Sequence, residues 1–230
     1  MLCHRPIRSY SSLAQYMLLC MVTIFFSLAL TVSASTAGTI GTIAGIGVGD
    51  GLDATTAVLN YPVGTTIDSA GNLYIADRGN HRIRKIDTSG VITTVAGNAA
   101  GGYSGDDGSA TAAQLFYPTA VTVDSAGNLF IADRNNHRIR KVDTGGVITT
   151  VAGTGISGYS GDDGSATAAQ LNYPQSVTID DTDNLYVADT NNHRIRKIDT
   201  SGVITTVAGN GANGYSGDDG SATAAQLNSC

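Results

Sequence analysis

Alternating apolar and polar residues mark four short segments in the middle of the chain, and turn residues separate them. Residues 119–124 alternate with period two after a Tyr-Pro pair, and residues 129–133 follow the turn Ser-Ala-Gly-Asn. Residues 137–143 predict a third strand, and the β-branched run 147–152 predicts a fourth. Because each gap is short and holds Gly or Asn, we predict a four-stranded meander.

The same pattern recurs with a fixed period. His81, His137 and His193 are each 56 residues apart, and residues 97–152 match residues 153–208 at 40 of 56 positions. Between the strand sets lies a long Gly-rich loop that holds the peptide GYSGDDGSATAAQL. Four meandering strands and a crossing loop, repeated at one period, predict the blades of a β-propeller.

The end of that loop has a different composition from its beginning. Residues 165–171 are rich in Ala, which favours helix, and Asp163 and Ser165 precede or open the segment as candidate N-caps. We therefore predict one or two helical turns there, between the fourth strand of one blade and the first strand of the next.

One segment of each repeat resembles a known family. Residues 127–133 read Gly-Asn-Leu-Phe-Ile-Ala-Asp and are followed by Asn136-His137-Arg138-Ile139, with copies at 71–83 and 183–195. This pattern resembles the NHL repeat, named for Asn-His-Leu, although the third residue is Arg here. The resemblance implies a β-propeller, commonly of six blades, and the long loops resemble those of bacterial secreted members. It implies no single function, since the family includes RNA-binding, protein-binding and enzymatic members.

The number of repeats predicts an open or partial propeller. We expect an all-β chain of about three four-stranded NHL-type blades plus an extra N-terminal strand at 39–44, which matches the fourth strand of a blade. Fewer blades than the usual four to eight leave strand edges exposed for pairing, so the chain either self-assembles or is a fragment of a longer propeller. The predicted units are a leader (1–34), a preceding strand and loop (35–61), three repeats (62–117, 118–173 and 174–208) and a truncated loop (209–230).

Composition narrows the class of protein further. The chain has 29 Gly, no Trp, and 19 acidic residues that are all Asp, which disfavours a bundle of amphipathic helices. Hydrophobic residues make up 42% and charged residues 14%, unlike a disordered chain. A formal net charge of −6 disfavours nucleic acid as a partner.

The N-terminus predicts export. Arg5 and Arg8 precede an apolar run at 17–30, and Val-Ser-Ala at 32–34 resembles a signal-peptidase site. We therefore expect a secreted, periplasmic or cell-surface protein, with an uncleaved membrane anchor as the alternative. Cleavage would leave only Cys230, which excludes an internal disulfide and leaves that thiol without an evident role.

Every repeat carries an Asp, an Asn and a His around one turn. We predict that they hydrogen-bond across the turn and fix its geometry, because every blade needs that turn and no copy differs from the others. No catalytic residue is predicted. The predicted turn network consists of Asp77, Asn80, His81, Asp133, Asn136, His137, Asp189, Asn192 and His193.

Bases recur on the third strand of each repeat. The candidate interaction patch consists of Arg82, Arg84, Arg138, Arg140, Arg194 and Arg196. Aspartates flank this strand, so the alternative is a solvated strand face paired with Asp.

The acidic clusters are the part of the sequence that most resembles a metal site. Asp180, Asp181 and Asp183 approximate an alternating ligand set, and paired aspartates recur in the long loops, but the D-x-[DN] ladder that wraps calcium is missing. We therefore predict no metal site and no cofactor, and assign these residues to turns.

The function that these observations favour is an exported, non-catalytic β-propeller binding or scaffold module. Its loops and strand edges would face a protein or glycan partner. A propeller-type lyase or lactonase-like enzyme is the alternative, by analogy of fold only. A fragment without independent function is the second alternative.

Overall fold

The computed structural model describes residues 49–229, and these fold into three antiparallel sheets of five strands each. The predicted leader, the predicted strand at 39–44 and Cys230 lie outside the described residues. The all-β, open propeller architecture is confirmed, because the three sheets do not close into a ring. No helix between residues 49 and 229 combines the length and the apolar character that crossing a membrane requires.

Each sheet consists of one very short strand and four longer ones. The first sheet contains β1 (Leu52–Asp53), β2 (Pro62–Ile67), β3 (Leu73–Asp77), β4 (Arg82–Ile86) and β5 (Val91–Ala96). The second contains β6 (Gly108–Ser109), β7 (Ala120–Val123), β8 (Leu129–Asp133), β9 (Arg138–Val142) and β10 (Val147–Ala152). The third contains β11 (Gly164–Ser165), β12 (Pro174–Ile179), β13 (Leu185–Asp189), β14 (Arg194–Ile198) and β15 (Val203–Ala208). In every sheet the short strand pairs with the last strand, as in the order β6-β10-β9-β8-β7.

The short fifth strand corrects the prediction of four strands per blade. Gly108–Ser109 belongs to the loop between the first and second sheets and pairs antiparallel with β10, with Ser109 opposite Val147. A Gly-Ser pair has neither the apolar alternation nor the β-branched residues that indicate a strand. Its pairing anchors the loop of one repeat to the next sheet.

The predicted helical turns are single 3-10 turns. Ala166–Ala168 forms one such turn, with Ser165 at the N-cap position but without a hydrogen bond from its side chain. Asp163 is not an N-cap, because its φ of 63° places it in a left-handed turn that precedes β11. The other 3-10 turns are Ala54–Thr56, Arg78–Asn80, Arg134–Asn136, Thr190–Asn192 and Ala222–Ala224.

Residues from the Ala-rich loop complete the core between neighbouring sheets. Ala166, Ala169 and Leu171 are buried in one cluster with Ile139 of the second sheet and Val187 of the third. A similar cluster lies between the first and second sheets. Each loop therefore supplies the apolar wedge that joins one sheet to the next.

Candidate binding face

A buried carboxylate closes the 3-10 turn that follows β8. Asp133 is fully buried, and its carboxylate accepts hydrogen bonds from the Phe116 N–H at 2.7 Å and from Asn136 Nδ2 at 2.8 Å. Arg140 Nη1 lies 3.3 Å from the same carboxylate. Burial raises the pKa of Asp133 to about 6, although these donors and the charge of Arg140 oppose the rise. One side chain thereby ties the turn to its own sheet and to the preceding loop.

The same contacts recur around the turns of the other two sheets. Asp77 accepts from the Asn60 N–H at 2.7 Å and from Asn80 at 2.8 Å. Asp189 accepts from the Asn172 N–H and from Asn192, each at 2.7 Å. The structure thus brings together the aspartates and asparagines of the predicted turn network in all three repeats.

The imidazole rings of the histidines in that network bond to the next repeat, and only the backbone N–H of each histidine bonds within its own turn. His81 and His137 adopt the left-handed conformation with φ of 55° and 53°. Nδ1 of His81 accepts from the Tyr117 N–H at 3.1 Å, and Nδ1 of His137 accepts from the Tyr173 N–H at 3.1 Å. The two ring pairs meet edge to face, with centroids 4.6 Å and 4.5 Å apart. These contacts form a latch between neighbouring sheets. His193 makes a longer bond of this kind, 3.4 Å, from the Ser229 N–H.

A row of tyrosines and arginines lies beside the latch, with the tyrosines just before the first long strand of each sheet and the arginines in the 3-10 turns. We call Tyr61, Arg78, Tyr117, Arg134 and Tyr173 the Tyr–Arg face. The guanidinium of Arg78 lies 5.5 Å from the ring centroid of Tyr117, and that of Arg134 lies 4.7 Å from that of Tyr173. Aromatic rings and guanidinium groups therefore alternate from the first sheet to the third.

The tyrosines of this face have an unusual backbone conformation. Tyr61, Tyr117 and Tyr173 have φ of 48°, 51° and 54°, a region that bulky residues seldom occupy. Such strain persists only where the surroundings impose it. Here it points the N–H groups of Tyr117 and Tyr173 at the latch histidines. Tyr61 remains 78% exposed and, with Arg78 and Tyr117, lines a depression of about 290 Å³.

Comparison with known proteins identifies the repeat. The model of the teneurin NHL domain matches residues 44–103 and 100–159, which together make up half of the chain, and the NHL repeat model matches residues 171–198. The chain belongs to the NHL-repeat family. Its turn network, latch and Tyr–Arg face are accordingly features of successive NHL blades.

Relatives share the NHL repeats over a small part of their own length. NHL repeat-containing protein 2 of Gallus gallus is 44% identical over 108 residues, which cover 46% of this chain and 14% of that protein. Teneurin-4 of Mus musculus is 32% identical over 206 residues, which cover 78% of this chain and 7% of that protein. The chain thus spans between 7% and 14% of the length of these two relatives.

A solved structure shares the propeller fold of the NHL blades. An auxiliary nutrient binding protein from Bacteroides thetaiotaomicron aligns with a TM-score of 0.52 and 21% identity, over 72% of this chain and 40% of that chain. At this level of identity the likeness shows the fold alone.

The prediction of an exposed interaction patch is wrong for three of its six arginines, one in each NHL blade. Arg84, Arg140 and Arg196 are buried, with exposures of 3%, 0% and 0%. Each pairs with the buried aspartate of its turn and with an aspartate of the long loop. The distances to those loop carboxylates are 2.7 Å for Arg84–Asp50, 2.6 Å for Arg140–Asp106 and 2.7 Å for Arg196–Asp162.

Two further arginines of the predicted patch hold loops of their NHL blades. Arg138 donates to the Thr154 carbonyl at 2.6 Å, and its guanidinium lies 3.6 Å from the ring centroid of Tyr103. Arg194 stacks similarly on Tyr159, at 3.7 Å. Arg82 is half-buried. In each third strand, therefore, the middle arginine is directed into the blade, where aspartates pair with it, and the other bases are partly exposed.

The acidic residues considered as metal ligands do not converge. Asp180 accepts from the N–H groups of Thr182 and Asn184, both at 2.9 Å, and hydrogen bonds from Asn184 lower the pKa of its carboxyl. Asp183 has a φ of 62°, and Asp181 is exposed. Within residues 49–229, no three His, Cys or Asp side chains are grouped as ligands for a metal ion. The absence of a metal site stays a prediction.

The Tyr–Arg face is the feature that sequence reasoning missed. The Tyr-Pro pair at the start of each repeat indicated only the beginning of a strand. Arg78 and Arg134 lie two residues before the Asn-His-Arg triplet of their repeats, outside the predicted patch. A signal was present, because both arginines and all three tyrosines recur at the 56-residue period.

Because the latch contains two histidines, we predict that lowering the pH destabilises the NHL blades. Burial lowers the pKa of His81, and burial together with the charges of Arg134 and Arg138 lowers that of His137. In the unfolded chain the histidine pKa is about 6.5. The unfolded state therefore binds more protons as the pH falls below about 6.5, and the free energy of unfolding falls with it.

Urea unfolding between pH 7.5 and 5 measures this effect. The His81→Asn/His137→Asn variant keeps residues that tolerate the left-handed conformation but removes the titration, so its stability should depend less on pH. The raised pKa of Asp133 has the opposite effect on stability. Between pH about 6 and the ordinary carboxyl pKa of 3.8, the folded state binds more protons at Asp133 than the unfolded state does, so this residue favours folding as the pH falls. The test is therefore the difference in pH dependence between the variant and the parent chain. Equal pH dependence of the free energy of unfolding in the two proteins would refute the prediction.

Proposed function

We propose that the chain is an exported, non-catalytic binding module, and that its binding surface is the Tyr–Arg face. The observation that carries this proposal is the depression lined by Tyr61, Arg78 and Tyr117, of which Tyr61 is 78% exposed. Tyrosine and arginine are enriched at binding hot spots. Their side chains offer large contact areas, stacking and hydrogen bonds.

Preorganisation supports the same proposal. The latch fixes the backbone of Tyr117 and Tyr173, and Arg134 Nε donates to Gln175 Oε1 at 2.8 Å. A ligand that binds this surface would order few additional side chains, which reduces the entropic cost of binding.

The partner that we propose is a glycan or a protein surface loop. A sugar ring stacks on an aromatic face and accepts hydrogen bonds from a guanidinium, and a protein loop with a carboxylate would use the same two groups. Export rests on the predicted leader at residues 1–34. The structural neighbour from Bacteroides thetaiotaomicron is described as a binding protein, which is compatible with this proposal, although its likeness carries the fold alone.

A glycan array followed by a peptide array, both probed with the purified chain, tests this function. For the best ligand, the variants Tyr61→Ala and Arg78→Ala should each weaken binding at least tenfold, which corresponds to about 1.4 kcal/mol. Tyr215→Ala is the matched control, because Tyr215 is 84% exposed but lies on a long loop outside the Tyr–Arg face. Its removal should leave the affinity unchanged.

Two results would contradict the proposal. One is a ligand whose affinity is the same for the parent, Tyr61→Ala and Arg78→Ala, since that ligand binds elsewhere. The other is an equal loss of affinity in Tyr215→Ala, which would indicate adhesion to any exposed tyrosine.

A further inference from the structure

A second concavity lies between the second and third sheets. It has a volume of about 510 Å³, within the range of small-molecule sites. Its lining includes Phe130, Leu185 and Ile198, which are buried in the core between the two sheets, and the partly buried Val151 and Ile179. None of these residues belongs to the Tyr–Arg face. The cleft thus has an apolar floor that is independent of the proposed binding surface.

The cleft lies where the repeat symmetry breaks. Phe130 occupies the position of Tyr74 in the first sheet and Tyr186 in the third. In those sheets the hydroxyl donates to the aspartate of the adjacent hairpin turn, at 3.1 Å to Asp68 and 3.2 Å to Asp180. A phenylalanine has no such donor.

The corresponding aspartate of the second sheet therefore lacks a hydroxyl donor from this strand. Asp124 lines the cleft and accepts from the backbone N–H and the Nδ2 of Asn128, each at 2.7 Å. The hydroxyl bond that its two counterparts receive is absent, because Phe130 stands in the place of the tyrosine. A donor group of a ligand in the cleft would supply that bond.

Charge indicates what kind of donor fits. Asp183 lines the cleft at the position that Gly71 and Gly127 occupy in the other repeats, and Asp199 lines it from the turn before β15. The one cation in the lining is Lys141, whose Nζ lies 5.7 Å from the ring centroid of Phe130. Three carboxylates against one ammonium make the lining net negative, which favours a cationic ligand.

We propose that this cleft binds a small molecule with an apolar body and a protonated amine. The apolar body packs against Phe130 and Leu185. The ammonium donates to Asp124, in place of the missing tyrosine hydroxyl, and lies close to the carboxylate of Asp183. This inference does not rest on the function proposed for the Tyr–Arg face, and either can fail without the other.

Calorimetric titration of the full chain at pH 7.5 with 2-phenylethylamine tests the proposal. Two probes of the same shape, neutral 2-phenylethanol and anionic 3-phenylpropanoate, separate charge recognition from apolar partitioning. We expect saturable binding of one amine per chain, with at least tenfold weaker binding of the alcohol and weaker still of the anion. Absence of saturable amine binding, or equal affinity for all three probes, would overturn the proposal.

Substitutions toward the other repeats locate the site without introducing residues foreign to the fold. Phe130→Tyr restores the hydroxyl that satisfies the turn aspartate, and Asp183→Gly restores the residue of the other two repeats. Each should weaken amine binding at least tenfold. Asp181→Ser is the matched control, because it removes one charge from the same turn, installs the counterpart residue Ser125 and lies outside the lining.

The control should bind the amine as the parent does. Undiminished binding by Phe130→Tyr, or a loss in Asp181→Ser as large as that in Asp183→Gly, would show that the cleft is not the site. Thermal unfolding of each variant verifies that the fold is retained.

Discussion

The Arg140→Ala variant is expected to lose about 3–5 kcal/mol of the free energy of unfolding, the usual cost of removing one partner from a buried ion pair. The guanidinium is fully buried between Asp133, at 3.3 Å, and Asp106, at 2.6 Å. Without it, the Asp133 carboxylate stays inside the blade with no opposite charge. A loss of this size is a large part of the stability of an ordinary domain, 5–15 kcal/mol. Urea unfolding followed by circular dichroism measures it.

A neighbouring arginine provides the control. Arg138→Ala removes the same side chain two residues earlier, but Arg138 is half-buried, stacks on Tyr103 and bonds a loop carbonyl. Its loss should cost about 1 kcal/mol, as for a partly exposed cation–π contact. Similar losses in the two variants would mean that the buried ion pairs do not stabilise the blade more than surface stacking does.

The Leu171→Ala variant is expected to lose about 2–5 kcal/mol, the range for deleting a buried leucine side chain. Leu171 has no exposed surface and packs in the cluster that joins the second and third sheets. The sheets move little to refill such a space, so a cavity remains. Denaturant unfolding gives the size of the loss, and hydrogen exchange should show that protection falls first at this junction.

The repeat again offers a matched substitution. Leu227 ends the same sequence motif one period later but is only half-buried. Leu227→Ala should therefore cost markedly less than Leu171→Ala. Equal losses would mean that the Ala-rich loop stabilises its own repeat and not the junction between sheets.

Strands with a strong local pattern could be predicted to the residue. The predicted bounds of β8 and β10 coincide with the observed ones, because continuous apolar or β-branched runs between turn residues leave little choice of register. The third strand, predicted at 137–143, is two residues shorter in the structure, one at each end. His137 is left-handed and ends the 3-10 turn, and its side chain bonds to Tyr173 in the next sheet.

The interior position of the arginines could not be predicted from one strand. Arg138-Ile-Arg-Lys141 has the composition of a solvated strand, and nothing local distinguishes Arg140 from its neighbours. Its partner Asp106 lies 34 residues earlier in the chain. Only the fold brings the two together, although an Asp in every loop and an Arg in every third strand already recurred with one period.

The latch between sheets has a consequence for how such proteins change during evolution. Both junctions between the three described sheets use the same donor and acceptor, since His81 bonds to Tyr117 as His137 bonds to Tyr173. Unequal recombination between two copies that removes or inserts a 56-residue unit joins a histidine of one repeat to a tyrosine of another. The latch of the new junction then has the same donor and acceptor as the old ones. The number of blades can therefore change between lineages without a compensating mutation in the latch.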